Sequence, residues 1–159
     1  MERKKISYIS KSPAQTKKIG QVLAKTVLGQ VADRAGALVL LLRGDLGAGK
    51  TQFAQGFAKG MGIRETVNSP TFAIIKKYCV PRGGGLKYFY HIDCYRLGSG
   101  RDLADLGIGA ILADPAAIIA IEWPSIVDKD LSLENVLEIS IEIAGAKNRQ
   151  INFFFDDQK

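Results

Sequence analysis

The clearest chemistry in this chain lies in Gly44 to Thr51, read GDLGAGKT. The stretch matches the phosphate-binding pattern G-x-x-x-x-G-K-[ST] in full. Its glycines let backbone N–H groups turn inward around phosphate oxygens, and a helix starting at its end adds a positive dipole terminus. Lys50 can then place a point charge on β- and γ-phosphates, and the Thr51 hydroxyl can ligate Mg²⁺. Asp45, Leu46, Gly47, Ala48, Gly49 and Gln52 complete the stretch expected to wrap a nucleotide.

A phosphate loop of this kind also needs a carboxylate at a neighbouring strand end, to hold the metal or its waters. Asp93 ends YFYHID and Glu122 ends AAIIAIE. The second run is purely apolar, as in a central parallel strand whose C-terminal end opens onto a ligand crevice. Glu122 is therefore placed beside the metal first, and Asp93 becomes a second acid that orients the attacking water or a metal-bound one. Ser69 and Thr71, in NSPTF, precede a strand where a switch segment would reach a γ-phosphate; a plain polar turn has the same composition. Trp123 fits either a stacking platform or the core. His91, the sole histidine, stands two residues before Asp93 and shares its strand face. With no second histidine and no cysteine pair at ligand spacing, a transition-metal centre lacks its ligands. His91 reads as the end of a strand that points Asp93 into a crevice.

The elements needed to position these groups are legible nearby. KISYIS alternates like a short strand. Ser12, Pro13 and Gln15 then form a helix-start signal with a capping box, followed by an apolar stripe at Ile19, Val22, Leu23, Thr26 and Val27. ALVLLL leads into the glycine-rich loop and a helix running to Gly60–Gly62. TFAIIKKYCV and LKYFYHIDCY flank PRGGG as a hairpin, RDLADLGIGAIL reads as one short helix, and AAIIAIEW as a fully buried strand. NVLEISIEIAG alternates, with Leu137, Ile139, Ile141 and Ile143 on one face, and AGAKNR turns it back into QINFFF. No repeat, low-complexity tract or linker interrupts residues 1–159, so the expectation is an α/β fold: a single P-loop NTPase-like domain with a mixed parallel/antiparallel sheet flanked by helices.

Composition narrows the class. With 159 residues, 47% hydrophobic and 24% charged, the chain suits one globular core. No apolar run approaches the roughly 18 residues of a membrane span, and MERKKISYIS lacks a signal-peptide core, so a cytoplasmic location without membrane association is expected. The only cysteines, Cys79 and Cys94, read as free buried thiols. The net charge of +6 is mild, and the basic cluster Arg3, Lys4, Lys5, Lys11, Lys17 and Lys18 reads as a solvated face that could also attract an acidic partner or RNA.

In order and spacing, GDLGAGKT, SPTF, HIDCYRL and IEWP resemble the TsaE family, the small P-loop ATPases of bacterial threonylcarbamoyladenosine tRNA modification. The resemblance spans nearly the whole chain. It implies slow Mg²⁺-dependent ATP hydrolysis by an accessory protein serving two partners, TsaB and TsaD. TsaD performs the transfer to adenosine 37, and tRNA is met indirectly, through the complex. It further implies Lys50 on phosphates, Thr51 and Glu122 on Mg²⁺, Asp93 as the functional acid, and Ser69 and Thr71 in a switch-like segment. The start of the first helix, around Pro13, would lie beside the adenine, with Lys147 as the basic residue of the final hairpin. Two rivals use the same loop. A small P-loop kinase would need an arginine-rich lid, whereas the arginines here are scattered. A non-hydrolytic ATP-dependent docking module is the other alternative, and the presence of Asp93 in addition to Glu122 favours hydrolysis over binding alone. A GTPase would need an N-K-x-D segment, which the chain lacks.

Overall fold

The computed structural model describes residues 3–30, 33–70, 73–81 and 84–156. In chain order its elements are β1 (Arg3–Ser10), α1 (Pro13–Gly29), β2 (Leu38–Arg43), α2 (Lys50–Gly60), β3 (Ile75–Cys79) and β4 (Tyr88–Asp93), then α3 (Gly100–Asp105), α4 (Ile108–Leu112), β5 (Ala117–Glu122), a 3₁₀ turn (Pro124–Ile126), β6 (Val136–Ile143) and β7 (Arg149–Asp156). The strands form one seven-stranded sheet in the order β1-β7-β6-β2-β5-β4-β3. Four neighbours, β6-β2-β5-β4, run parallel. β1, β7 and the β3 edge pair antiparallel. This is the mixed α/β sheet anticipated from the strand patterns.

Parallel strands need cover on both faces, which explains why β2 and β5 are almost uninterrupted Leu, Ile, Val and Ala. On one face Leu40, Leu42, Ile118 and Ala120 pack with Phe53 and Phe57 of α2 and Ala24 of α1. On the other, Val39, Leu41, Ile119 and Ile121 pack with Leu103 of α3 and Ile108 of α4. Burying a side chain of this size is worth about 1.5–3 kcal/mol, so these two clusters hold the strand ends in place. No helix among the described residues is long and apolar enough to cross a membrane.

α1 and α2 cross closely because glycine faces helix at the contact. A Cβ at Gly20 would stand 2.4 Å from the Phe53 carbonyl oxygen, and one at Gly56 would overlap that of Lys17. This crossing draws the start of α1 over the glycine-rich loop. Ser12 caps α1 by accepting from the Gln15 N–H at 3.1 Å. The Gln15 side chain returns to the Lys11 N–H at 2.7 Å, one residue earlier than a standard capping box.

Several expectations are corrected. The inner stripe of α1 is Thr16, Gly20 and Ala24, flanked by Ile19, Leu23 and Val27, while Val22 and Thr26 face outward. Small residues line it because α2 approaches too closely for large ones. RDLADLGIGAIL forms two helices, since Gly107 adopts a left-handed φ of 84° that ends the first and caps the second. Cys94 is buried but Cys79, on the edge strand, is exposed. Ile143, at the end of β6, is likewise exposed.

Candidate functional site

The glycine-rich loop leaves β2 at its C-terminal end and enters α2 at Lys50. Ala48 N–H closes a turn on the Asp45 carbonyl at 3.0 Å, and Phe53 N–H makes its helical bond to Gly49 at 2.9 Å. Gly49 caps α2 with φ of 107°, a conformation that a side chain would strain and that leaves the first helical N–H groups without a side-chain cap. Such amides are suited to an anion.

Lys50 folds back along the loop. Its Nζ donates to the Gly44 and Asp45 carbonyls at 2.5 and 3.0 Å and lies 4.0 Å from the centre of the Trp123 ring. Burial pushes its ammonium below the ordinary lysine range, while Glu122, Asp93 and Asp45 pull the other way. Trp123 holds a left-handed backbone (φ 57°) and packs against Tyr95 with ring centres 5.1 Å apart. It is therefore both a platform for Lys50 and part of the second core cluster.

The two acids meet at the ends of adjacent strands, because Asp93 of β4 pairs in register with Glu122 of β5. Glu122 is 3% exposed. Its Oε1 accepts from the Thr51 hydroxyl at 3.0 Å and bonds His91 Nε2 at 2.7 Å. Asp93 is half-buried; its Oδ2 accepts from the Ser69 hydroxyl at 2.9 Å and its Oδ1 from the Tyr95 N–H at 3.0 Å. His91 shares the face of Asp93, as anticipated, but its ring bonds Glu122.

These groups surround one cavity of about 940 Å³, close to the upper end of the range typical for small-molecule sites. Pro13, Leu46, Gly47, Ala48, Gly49, Lys50, Thr51, Gln52, Ser69, Asp93, Glu122 and Lys147 all line it. Asp45 departs from expectation: it is not among the lining residues, and serves through its backbone carbonyl and its charge. Thr71 lies outside the described residues. The start of α1 is fixed at the cavity by a buried Ser10–Thr16 hydroxyl pair at 2.7 Å.

Arg149 is a cavity-lining residue that spacing did not single out. From the start of β7 its Nε reaches the Ala48 carbonyl and its Nη2 the Gly47 carbonyl, each at 3.1 Å. The same side chain clasps the Gly145 and Asn148 carbonyls, tying the last hairpin to the loop. Its only sequence signal was its place after the AGAKN turn, among arginines that otherwise looked scattered.

The oxygen donors fit a hard cation such as Mg²⁺, and not a soft metal held by nitrogen and sulfur. Thr51 and Glu122 offer one hydroxyl and one carboxylate, and no group of three or more His, Cys, Asp or Glu side chains could form a protein cage among the described residues. Mg²⁺ is typically held in that manner, by one or two protein oxygens plus phosphates and waters.

A sheet with parallel centre, a GDLGAGKT loop at a strand's C-terminal end and a paired acid beside it define a P-loop NTPase-like protein. Comparison with known proteins narrows the class. The family model described as threonylcarbamoyl adenosine biosynthesis protein TsaE matches residues 10–151, and the chain belongs to this family. The tRNA threonylcarbamoyladenosine biosynthesis protein TsaE of Bacillus subtilis is 37% identical over 150 residues, covering 94% of this chain and 85% of that protein. The protein of the same description from Treponema pallidum is 34% identical over 143 residues, covering 90% and 96%. A crystal structure of Bacillus subtilis YdiB superposes with a TM-score of 0.72 at 32% identity, over 97% of this chain and 87% of that one.

Proposed function

We propose that this protein is a Mg²⁺-dependent ATPase that assists threonylcarbamoyladenosine modification of tRNA adenosine 37, allowing a TsaB–TsaD complex to turn over repeatedly. The protein would act in the cytoplasm, and tRNA would be reached through the partners. The observation that carries the reading is the convergence of Lys50, Thr51 and Glu122 within hydrogen-bond reach of the loop that caps α2.

In this reading the loop amides and the N-terminus of α2 receive the phosphates. Lys50 exchanges the Gly44 and Asp45 carbonyls for β- and γ-phosphate oxygens. Thr51 and Glu122 would hold Mg²⁺, which when bound neutralises charge on the phosphates. Asp93, held by Ser69 and the Tyr95 N–H, orients the attacking water and accepts its proton as the γ-phosphoryl group is transferred. Pro13 and Lys147 border the cavity where the base and its ribose would lie. Arg149 keeps the loop in shape from behind.

The test is phosphate release from ATP, measured with and without the purified partners. Wild type is expected to hydrolyse ATP slowly alone and faster with both partners. Lys50→Ala should lose activity in both settings, since a positioned charge on a transferring phosphoryl group is worth on the order of 100-fold or more. Equal rates for Lys50→Ala and wild type would sink the ATPase reading, and indifference to the partners would sink the accessory role.

A further inference from the structure

We propose that His91 is a positioning residue for the metal site: its Nε2–H fixes the Glu122 carboxylate in the orientation that receives Mg²⁺. This rests on the nucleotide reading above and deepens it. The two groups are 2.7 Å apart, and His91 is 0% exposed. A carboxylate only accepts, so Nε2 carries the hydrogen. Thr51 donates to the same Glu122 oxygen, Oε1. Both donors thus engage one oxygen, and Oε2 is left to face a cation.

The strand register builds this contact. His91 pairs with Ala120, and Asp93 with Glu122, in the parallel β4–β5 ladder. The four side chains therefore share one face, with His91 one step deeper in the sheet than the acids. Its ring stacks on Phe89 at a centroid distance of 6.5 Å and an interplanar angle of 21°. Packing sets the ring plane, and the ring sets the carboxylate. Nδ1 is buried with no hydrogen-bond partner among the described residues, so Glu122 is the one polar contact that accounts for a histidine here. An ordinary core position would be filled by Phe or Leu without an orphaned nitrogen.

Partners of this kind around metal ligands change affinity by about 10- to 100-fold when removed. Their loss affects metal-dependent steps and spares metal-free contacts. The experiment measures equilibrium binding of a fluorescent ATP analogue as a function of Mg²⁺, with Mn²⁺ binding followed by electron paramagnetic resonance. In His91→Phe, which keeps an aromatic ring over Phe89 but loses the donor, the Mg²⁺ midpoint should rise about 10- to 100-fold. Nucleotide affinity in EDTA should stay near wild type. His91→Gln, whose amide nitrogen can reach the Nε2 position, should restore most of the midpoint, and His91→Asn, with the same amide one methylene shorter, should not. That Gln/Asn pair carries the comparison if the Phe variant fails to fold. A wild-type midpoint in His91→Phe, or equal midpoints for Gln and Asn, overturns the positioning role. Loss of EDTA-state binding in step with the Mg²⁺ effect does so too, because it assigns His91 to the core alone. A wild-type protein whose binding ignores Mg²⁺ would instead overturn the nucleotide–metal reading on which the proposal stands.

Discussion

Glu122 and Asp93 are neighbours in one ladder, yet their surroundings differ. Glu122 is sealed beneath the loop, with two side-chain donors converging on a single oxygen. Asp93 is half-buried and takes its donors from a serine in the segment before β3 and from the backbone just beyond β4. A carboxylate clamped from a neighbouring strand and a helix is held in one orientation, as the proposed metal role requires. One held by loop donors and open on one side can meet water and shift as a reaction proceeds. Two acids of similar chemistry thus differ through what holds them.

The largest effect should fall on the open acid. Asp93→Asn is expected to lower single-turnover ATP hydrolysis by about 10²- to 10⁴-fold, the usual worth of a positioned base, while equilibrium ATP binding stays close to wild type. Lost binding would erase the distinction between the two acids. For the clamped acid, Glu122→Ala should shift the Mg²⁺ requirement by about 100-fold, at or beyond the range seen for outer-shell partners. Full activity of that variant at limiting Mg²⁺ would remove Glu122 from the metal site.

Arg149 holds the glycine-rich loop through the Gly47 and Ala48 carbonyls, without touching the two acids, and can be tested separately. Arg149→Ala should weaken ATP binding about tenfold, corresponding to about 1.5 kcal/mol for hydrogen bonds from a charged donor; unchanged affinity would mean the loop holds its shape without the clasp. The smallest signal reports how closed the Asp93 end is. Cys94 follows Asp93, and burial together with that carboxylate pushes its thiol up to about 12. At pH 8 the native protein should therefore be modified at Cys79 alone, with Cys94 reacting only after denaturation. Two fast-reacting thiols in the native state would show that strand end opening.

Much of the fold was legible because local rules dominate there. The loop is recognisable from residue types, since glycines allow its left-handed backbone positions and the Lys-Thr pair supplies its charge and hydroxyl. The runs ALVLLL and AAIIAIE announce strands buried on both faces, and Ser12-Pro13 announces a helix start. Where local rules are weak, tertiary contacts decide. Hydrophobicity alone points to Val22 and Thr26 in the α1 stripe, whereas the closeness of α2 makes Gly20 and Ala24 the inner residues. The break at Gly107 could not be told from an ordinary helical glycine without its backbone angle.

By itself, the sequence determined the phosphate loop, the strand ends carrying the two acids and the family. Each depends on residues close together in the chain or on motif order. Only the tertiary structure decided which groups surround those acids. The Arg149–Ala48 contact joins residues 101 apart, the Thr51–Glu122 contact 71 apart and the His91–Glu122 contact 31 apart. These partnerships follow from sheet order and ladder register, long-range pairings that no local pattern encodes. A one-residue slip between β4 and β5 would turn His91 to the opposite face from Glu122.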